Sequence, residues 1–343
     1  MTHLEDTQAR GAADGGAIPR VSLGRMLRRV GVQRELGVIA ALAALCAYGF
    51  LGTSGFGTSE NLLNVGQQVS LIGIMAVGMT FVLITGEIDL SVGSIYALSS
   101  MATGLMLSHE LAWPLAILFG VLIGAACGLC NGILTVALGI PGIIVTLGTL
   151  SIFRGIALLI TNAAPISLDG TLPNIDRFAY LGQGRPWGIP MQLIVMLTVA
   201  AVGAFVLRFT RFGFHVYAVG GSREAARLCG IGISRVRIIA FVIAGALGGL
   251  AGTAGLSFLL FTSGTTGVGL ELIVITAVII GGAALFGGSG TMLGTLVGVF
   301  LIGVLQNVLI LAQVSSFWQT VIIGVVIIVA VALDSAVRKR SAT

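Results

Sequence analysis

The residues best equipped for chemistry fall in three places. Cys127 and Cys130 form a C-x-x-C pair, Glu87 and Asp89 share the stretch "TGEIDLSVGS" (85–94), and residues 220–237 read "GGSREAARLCGIGISRVR". A C-x-x-C pair can hold a metal or run thiol–disulfide exchange when further ligands or a redox fold accompany it. Here it lies in "IGAACGLCNGIL" (123–134), an apolar run without His or carboxylate, so both cysteines are read as small packing residues. With Cys46 and Cys229 they suggest no disulfide framework. Carboxylates inside a bilayer mark ion pathways, because a charge at its centre is costly. None is expected at the centre of an apolar run. Glu60, Glu110 and Glu271 fall at ends on one side, Glu87, Asp89 and Asp334 on the other, and Asp169 and Asp176 lie in a loop. His3, His109 and His215 sit in a tail and two loops. No nucleophile–base pair, phosphate loop or metal cluster emerges, so no catalytic residue, metal or cofactor is expected.

What must position these residues is a membrane. Hydrophobic residues make up 56% of the 343 and charged ones only 9%, where a soluble domain carries about a quarter. Many apolar runs reach the roughly 20 residues that a helix needs to cross a bilayer. They lack the ten-residue alternation of a barrel, and backbone groups in lipid must pair internally. The expectation is an all-α polytopic membrane protein with about ten transmembrane helices. They cover about 36–55, 62–85, 90–108, 112–138, 141–161, 188–207, 238–261, 271–286, 291–312 and 317–333.

Basic residues set the orientation. Of eighteen Lys and Arg, six lie at or before Arg34, six from Arg208 to Arg237, and three at Arg338, Lys339 and Arg340. Cytoplasmic loops carry the excess of such residues, so all three clusters are expected inside, and six then four crossings close the parity. Residues 1–34 are then a cytoplasmic tail, polar and disordered over 1–19 and a basic surface segment over 20–34 that acts as an uncleaved anchor. Residues 35–337 form the transmembrane domain, with 208–237 a cytoplasmic loop and 162–187 an external one, and 338–343 form a cytoplasmic tail. The net charge of +5 sits at membrane edges, which implies contact with membrane lipid and no nucleic acid.

Inside the runs the polar groups are mostly neutral: Gln67, Gln68, Ser70, Thr80, Asn131, Thr146, Thr149, Gln306 and Asn307. Such groups suit a path for a neutral, hydroxyl-bearing solute, and they equally suit hydrogen bonding between helices. The candidate path residues are Asp89, Ser91, Asn131, Gln306 and Asn307. Arg154 is the one cation within a run; it either snorkels to the interface or pairs with an acid. Gly120, Gly124 and Gly128, with Gly245, Gly248, Gly249, Gly252 and Gly255, allow close helix approach. "CGLCNGIL" (127–134) echoes "GVLQNVLI" (303–310), which raises an inverted repeat of five helices.

The island at 220–237 contains "SREAARL", with Ser222 as N-cap, Ala225 and Ala226 as helix formers and Gly230 as a stop. A short helix there would offer Arg223, Glu224 and Arg227 to a cytosolic partner. "EAARLCG" (224–230) resembles the E-A-A-x-x-x-G segment in permease subunits of bacterial ABC importers. "AVGGSREAARLCGIGI" (218–233), "TGEIDLSVGSIYAL" (85–98), "GIPGIIVTLGTLSIFRGIALLIT" (139–161) and "GGSGTMLGTLVG" (287–298) are similar to the simple-sugar branch, the ribose, xylose, arabinose and galactose type. The I-x-L-P that often follows the EAA segment is replaced by "SRVRIIAFVIAG", and Glu87 stands where many relatives carry Gly.

The resemblance implies an inner-membrane subunit that hydrolyses nothing itself. Two copies, or a copy and a paralogue, would pair around one path. A cytosolic ATPase would grip Arg223, Glu224, Ala225, Ala226, Arg227 and Gly230, and a periplasmic sugar-binding protein would dock outside. The same resemblance leaves a nucleoside, a branched-chain amino acid or a furanose-like signal molecule as alternative cargo. An ion-coupled carrier is the reading from a different class, and it lacks the usual acidic relay.

Overall fold

The structure, a computed structural model, describes residues 23–170 and 172–342, with side chains from residue 36 except 327, 330, 331 and 333 onward. The expected tail at 1–19, the first residues of the basic segment and Thr343 lie outside the described residues. From Leu23 that segment continues without a break into α1 (Leu23–Gly52). There follow α2 (Ser59–Ile84), α3 (Val92–Ser108), α4 (Trp113–Ala137), α5 (Gly142–Leu159), α6 (Ile175–Gln183) and α7 (Met191–Phe209). Then come α8 (Arg211–Gly221), α9 (Arg223–Leu228), α10 (Ile233–Leu259), α11 (Leu270–Ile280), α12 (Met292–Leu311) and α13 (Ser316–Ala342). One antiparallel pair joins β1 (Ile166–Ser167) to β2 (Phe261–Thr262), Ile166 opposite Thr262.

The chain is a polytopic all-α membrane protein. Among the described residues six helices are long and apolar enough to cross a bilayer: α2, α4, α5, α7, α10 and α12. The other four expected runs are helices with shorter apolar stretches: Leu36–Gly52, Val92–Ser108, Leu270–Ile280 and Ser316–Val326. Two of these differences have local causes. Gly86, with φ +79°, ends the turn after α2, and α3 starts only at Val92. The expected run 271–286 stops at Ile280 because Gly281 caps the helix and Gly282 takes φ +95°, a region that penalises a Cβ.

Burial grades across the bundle. α2 is 89% buried over its most apolar window, α10 61%, and α4, α5 and α7 only 33%, 33% and 28%. The innermost layer is therefore α2 and α10 with the largely buried α3. Outer helices turn Leu118, Leu122, Leu147 and Phe205 away from the protein, as apolar residues facing lipid do.

Glycine sets the tightest contact. Gly120, Gly124, Gly128 and Gly132 of α4 lie against α10 at Gly249, Gly245, Phe241 and Ile238. A Cβ on Gly124 would sit 2.8 Å from the Gly249 Cα, and one on Gly132 2.8 Å from the Ile238 Cα. This is backbone-to-backbone packing of the small-xxx-small kind. Cys127 is buried beside this seam and Cys130 is exposed, both as free thiols, and no group of three metal-binding side chains occurs among the described residues.

α3 begins well inside the bundle. A Cβ on Gly248 would lie 3.2 Å from Ile95 and 3.5 Å from Val92. Gly248 is fifteen residues past the start of α10 at Ile233, about 22 Å along its axis at 1.5 Å per residue. The loop 263–269 folds inward to meet that point. A Cβ on Gly267, at φ +78°, would lie 3.0 Å from the Tyr96 ring and 3.1 Å from the Gly93 carbonyl.

Candidate functional site

The island forms the short helix α9. Ser222 is extended and its Oγ accepts a hydrogen bond from the Ala225 N–H at 3.2 Å, the N-cap pattern. Glu224 lies in the first turn, where the positive helix end favours it. The helix closes through Cys229 N–H to Ala225 O (3.1 Å), Gly230 N–H to Arg227 O (3.0 Å) and Ile231 N–H to Ala226 O (3.0 Å). Gly230 adopts φ +75° to make that turn, as a glycine stop does. Ala226 is buried against the bundle, while Glu224, Ala225, Arg227, Leu228 and Cys229 are exposed. Leu228 is 85% exposed. The helix is thus a knob seated on one alanine.

Behind the knob lies a buried carboxylate. Glu87 is 4% exposed, and its Oε1 receives Arg223 Nη2 at 2.6 Å and Arg237 Nη2 at 2.7 Å. Its Oε2 accepts the Gly142 N–H at 2.7 Å. Arg223 belongs to α9, Arg237 to α10, and Gly142 opens α5, so three helices meet at one acid.

A second polar cluster follows the turn that carries Glu87. The Leu90 N–H donates to Thr146 Oγ1 at 3.0 Å, and that hydroxyl donates to Ile88 O at 3.2 Å. Thr149 Oγ1 donates to Asn131 Oδ1 (2.7 Å), Asn131 Nδ2 to Ser91 Oγ (2.8 Å), and Ser91 Oγ to Asp89 Oδ1 (2.6 Å). The Ser91 N–H also donates to Asp89 Oδ1, at 2.8 Å. Asp89, Ser91 and Asn131 are therefore brought together, fully buried, and tie α3, α4 and α5 to each other. Asp89 Oδ2 has no hydrogen-bond partner among the described residues.

Asn307 is kept apart from them. It exchanges amide hydrogen bonds with Asn61, at 3.0 and 2.9 Å, at the start of α2. Gln306 is half-buried beside it. The five candidate path residues thus divide into two separate groups.

Arg154 takes neither of its two expected roles outright. Its Nη1 donates to the Gly264 and Thr266 carbonyls at 2.9 and 2.7 Å, pinning the inward loop to α5. It also lies within the field of Glu271. That acid is not at an outer end, as its sequence position suggests. Gly93, in the first turn of α3, leaves the space that the Glu271 carboxylate occupies. The inward loop starts α11 inside the bundle and carries the acid with it. Oε1 accepts the Gly269 N–H at 3.2 Å, and Oε2 is buried without a hydrogen-bond partner among the described residues.

Sequence reasoning missed the Arg223–Glu87–Arg237–Gly142 joint. The signals were an acid in the turn at 85–94, a helix start at Pro141–Gly142 and two arginines of the island, none of which specifies who meets whom.

A protein-family model described as "Branched-chain amino acid transport system / permease component" matches residues 61–331. The ribose import permease protein RbsC of Escherichia coli (strain K12) is 36% identical over 315 residues, 92% of this chain and 98% of that protein. RbsC of Bacillus subtilis (strain 168) is 41% identical over 312 residues, 91% and 95% of the two chains. The L-arabinose ABC transporter permease protein AraH of Azospirillum brasilense is 36% identical over 329 residues, 96% and 94%. No solved structure matches the chain. The matches run through the island, the Glu87 turn and the polar cluster alike, and the chain belongs to the branched-chain amino acid transport system / permease component family.

Proposed function

We propose that this chain is the membrane-spanning subunit of an ATP-driven importer that brings a monosaccharide, a pentose or hexose, into the cell. The observation that carries the reading is the exposed, capped helix α9, the part of the chain that resembles an ATPase-binding segment. The ribose and arabinose names of the relatives support the sugar class. The family model's own description favours a branched-chain amino acid as the second reading. The ligand of the importer's binding protein separates the two.

In this reading the protein lies in the bacterial inner membrane with ten crossings, both termini in the cytosol, and lipid around its outer helices. The cytosolic ATPase grips Arg223, Glu224, Ala225, Ala226, Arg227 and Gly230. A periplasmic sugar-binding protein docks at the end that carries residues 162–187. A second copy or a paralogue completes the path. The face of α5 with Gly148 and Gly155, where added Cβ atoms would meet nothing, supports a partner helix there. The two halves form an inverted repeat, and Asn131 and Asn307 hold like places in it, each in the last two turns of its helix, α4 and α12. Asp89, Ser91, Asn131, Gln306 and Asn307 border the path in at least one nucleotide state. Single cysteines at these positions test that, and a position never labelled in any state is not on the path.

Reconstitution tests the whole reading. Vesicles with this chain, its ATPase and a loaded binding protein should accumulate sugar only when ATP is present. Uptake by the chain alone, or uptake that an ionophore abolishes at constant ATP, overturns it.

A further inference from the structure

We propose that Glu87 is the joint through which a push on α9 reaches the helices of the path, a proposal that rests on the importer reading above. Three moving parts end on its carboxylate. Arg223 opens α9 and is 49% exposed, so it moves with the knob; Arg237 sits in the second turn of α10 and is 13% exposed; Gly142 opens α5. Glycine at 142 lets the carboxylate come this close: an added Cβ there would stand 2.6 Å from Glu87 Oε2 and 2.9 Å from the Phe241 ring, and both side chains would have to shift. The carboxylate also sits at the positive end of α5, which adds to the attraction.

The sharing of one oxygen matters. Arg223 and Arg237 both bond to Oε1, while Oε2 holds α5. When α9 shifts and takes Arg223 with it, Arg237 keeps the buried acid paired, so the joint opens and recloses without stranding a charge. Movement of the turn is passed on at once, because Ile88 and Leu90, which follow Glu87 in the same turn, are bonded to Thr146 of α5. Thr149, one helical turn further, pulls on Asn131 of α4 and through it on Ser91. The chain from α9 to the start of α3 is continuous, and Glu87 is its single ionic link. Glu87 touches no solute in this account; it is a positioning residue.

The experiment uses the complete importer in vesicles with a panel of labelled monosaccharides, read as sugar moved per ATP hydrolysed. Glu87→Gln keeps two acceptor or donor sites but loses the charge. It is expected to hydrolyse ATP within about twofold of the parent while moving about tenfold less sugar per ATP. Arg223→Gln, at a half-exposed site that folding tolerates, is expected to lose the same ratio, and the double variant is expected to be no worse than either single one. Glu87→Asp should recover part of the ratio. An unchanged ratio in Glu87→Gln or Arg223→Gln, or losses that multiply in the double variant, overturns the proposal. A lowered Tm with an unchanged ratio means a structural acid only and also overturns it. If the parent moves no monosaccharide with ATP, the importer reading fails first, before any variant is compared.

Discussion

Replacing Gly128 with valine is expected to lower the thermal midpoint of the detergent-solubilised protein by roughly 4 °C, the shift that a loss of about 3 kcal/mol produces in a chain of this length. The reason is what stands in the way. A Cβ at Gly128 would meet the Phe241 carbonyl, lie 2.9 Å from its carbon and 3.1 Å from the Val242 Cα. All three are backbone atoms of α10, so no rotamer change relieves the clash, and the two helices must part. Parting them also strains the neighbouring contacts at Gly124 and Gly132 and the Asn131 bonds to Ser91 and Thr149. Gly324→Ala is the matched control. Nothing lies within 4 Å of its added Cβ, and alanine is the better helix former by about 1 kcal/mol. Its midpoint should hold or rise. A Gly128→Val protein as stable as the parent would contradict the α4–α10 seam.

Changes in α9 should act in the opposite manner, sparing the fold and removing transport. Gly230→Val forces a β-branched residue into φ +75°, a strain on the order of 1–3 kcal/mol that the last turn of a six-residue helix cannot absorb. Leu228→Asp puts a charge on the most exposed apolar side chain of the knob, where a partner would have to desolvate it. Glu224→Ala removes the acid from the first turn. In ATP-driven uptake assays all three are expected to fall by about tenfold or more, with the amount of protein in the membrane unchanged. Parent-level uptake in Leu228→Asp and Gly230→Val together would remove α9 from the mechanism.

Much of the architecture could be read from the residues because lipid makes the rules few. Long apolar runs had to become helices, and α2, α4, α5, α7, α10 and α12 lie where those runs are. The cap and stop of α9 were equally visible, since Ser222, Ala225, Ala226 and Gly230 act locally. What escaped was set by distance. Nothing adjacent to Glu87 announces that residues 142, 223 and 237 will converge on it. Glu271 shows the same limit: its place near a loop suggested an outer end, yet the loop from 263 to 269 turns inward under the hold of Arg154 on two carbonyls. The candidate path residues were named as a set, but their division into an Asp89–Ser91–Asn131 group and Asn307 with its unforeseen partner Asn61 depends on which helices become neighbours. Sequence spacing does not contain that.

The proposed importer requires α9 to face the cytosol, where a motor subunit can push on it. Cys229 provides a native reporter, being free, exposed and directly behind the helix. In a background with Cys46, Cys127 and Cys130 replaced, a membrane-impermeant thiol reagent should label Cys229 in inverted vesicles and not in intact spheroplasts, and bound ATPase should slow the reaction. Labelling of Cys229 in intact spheroplasts would contradict the account.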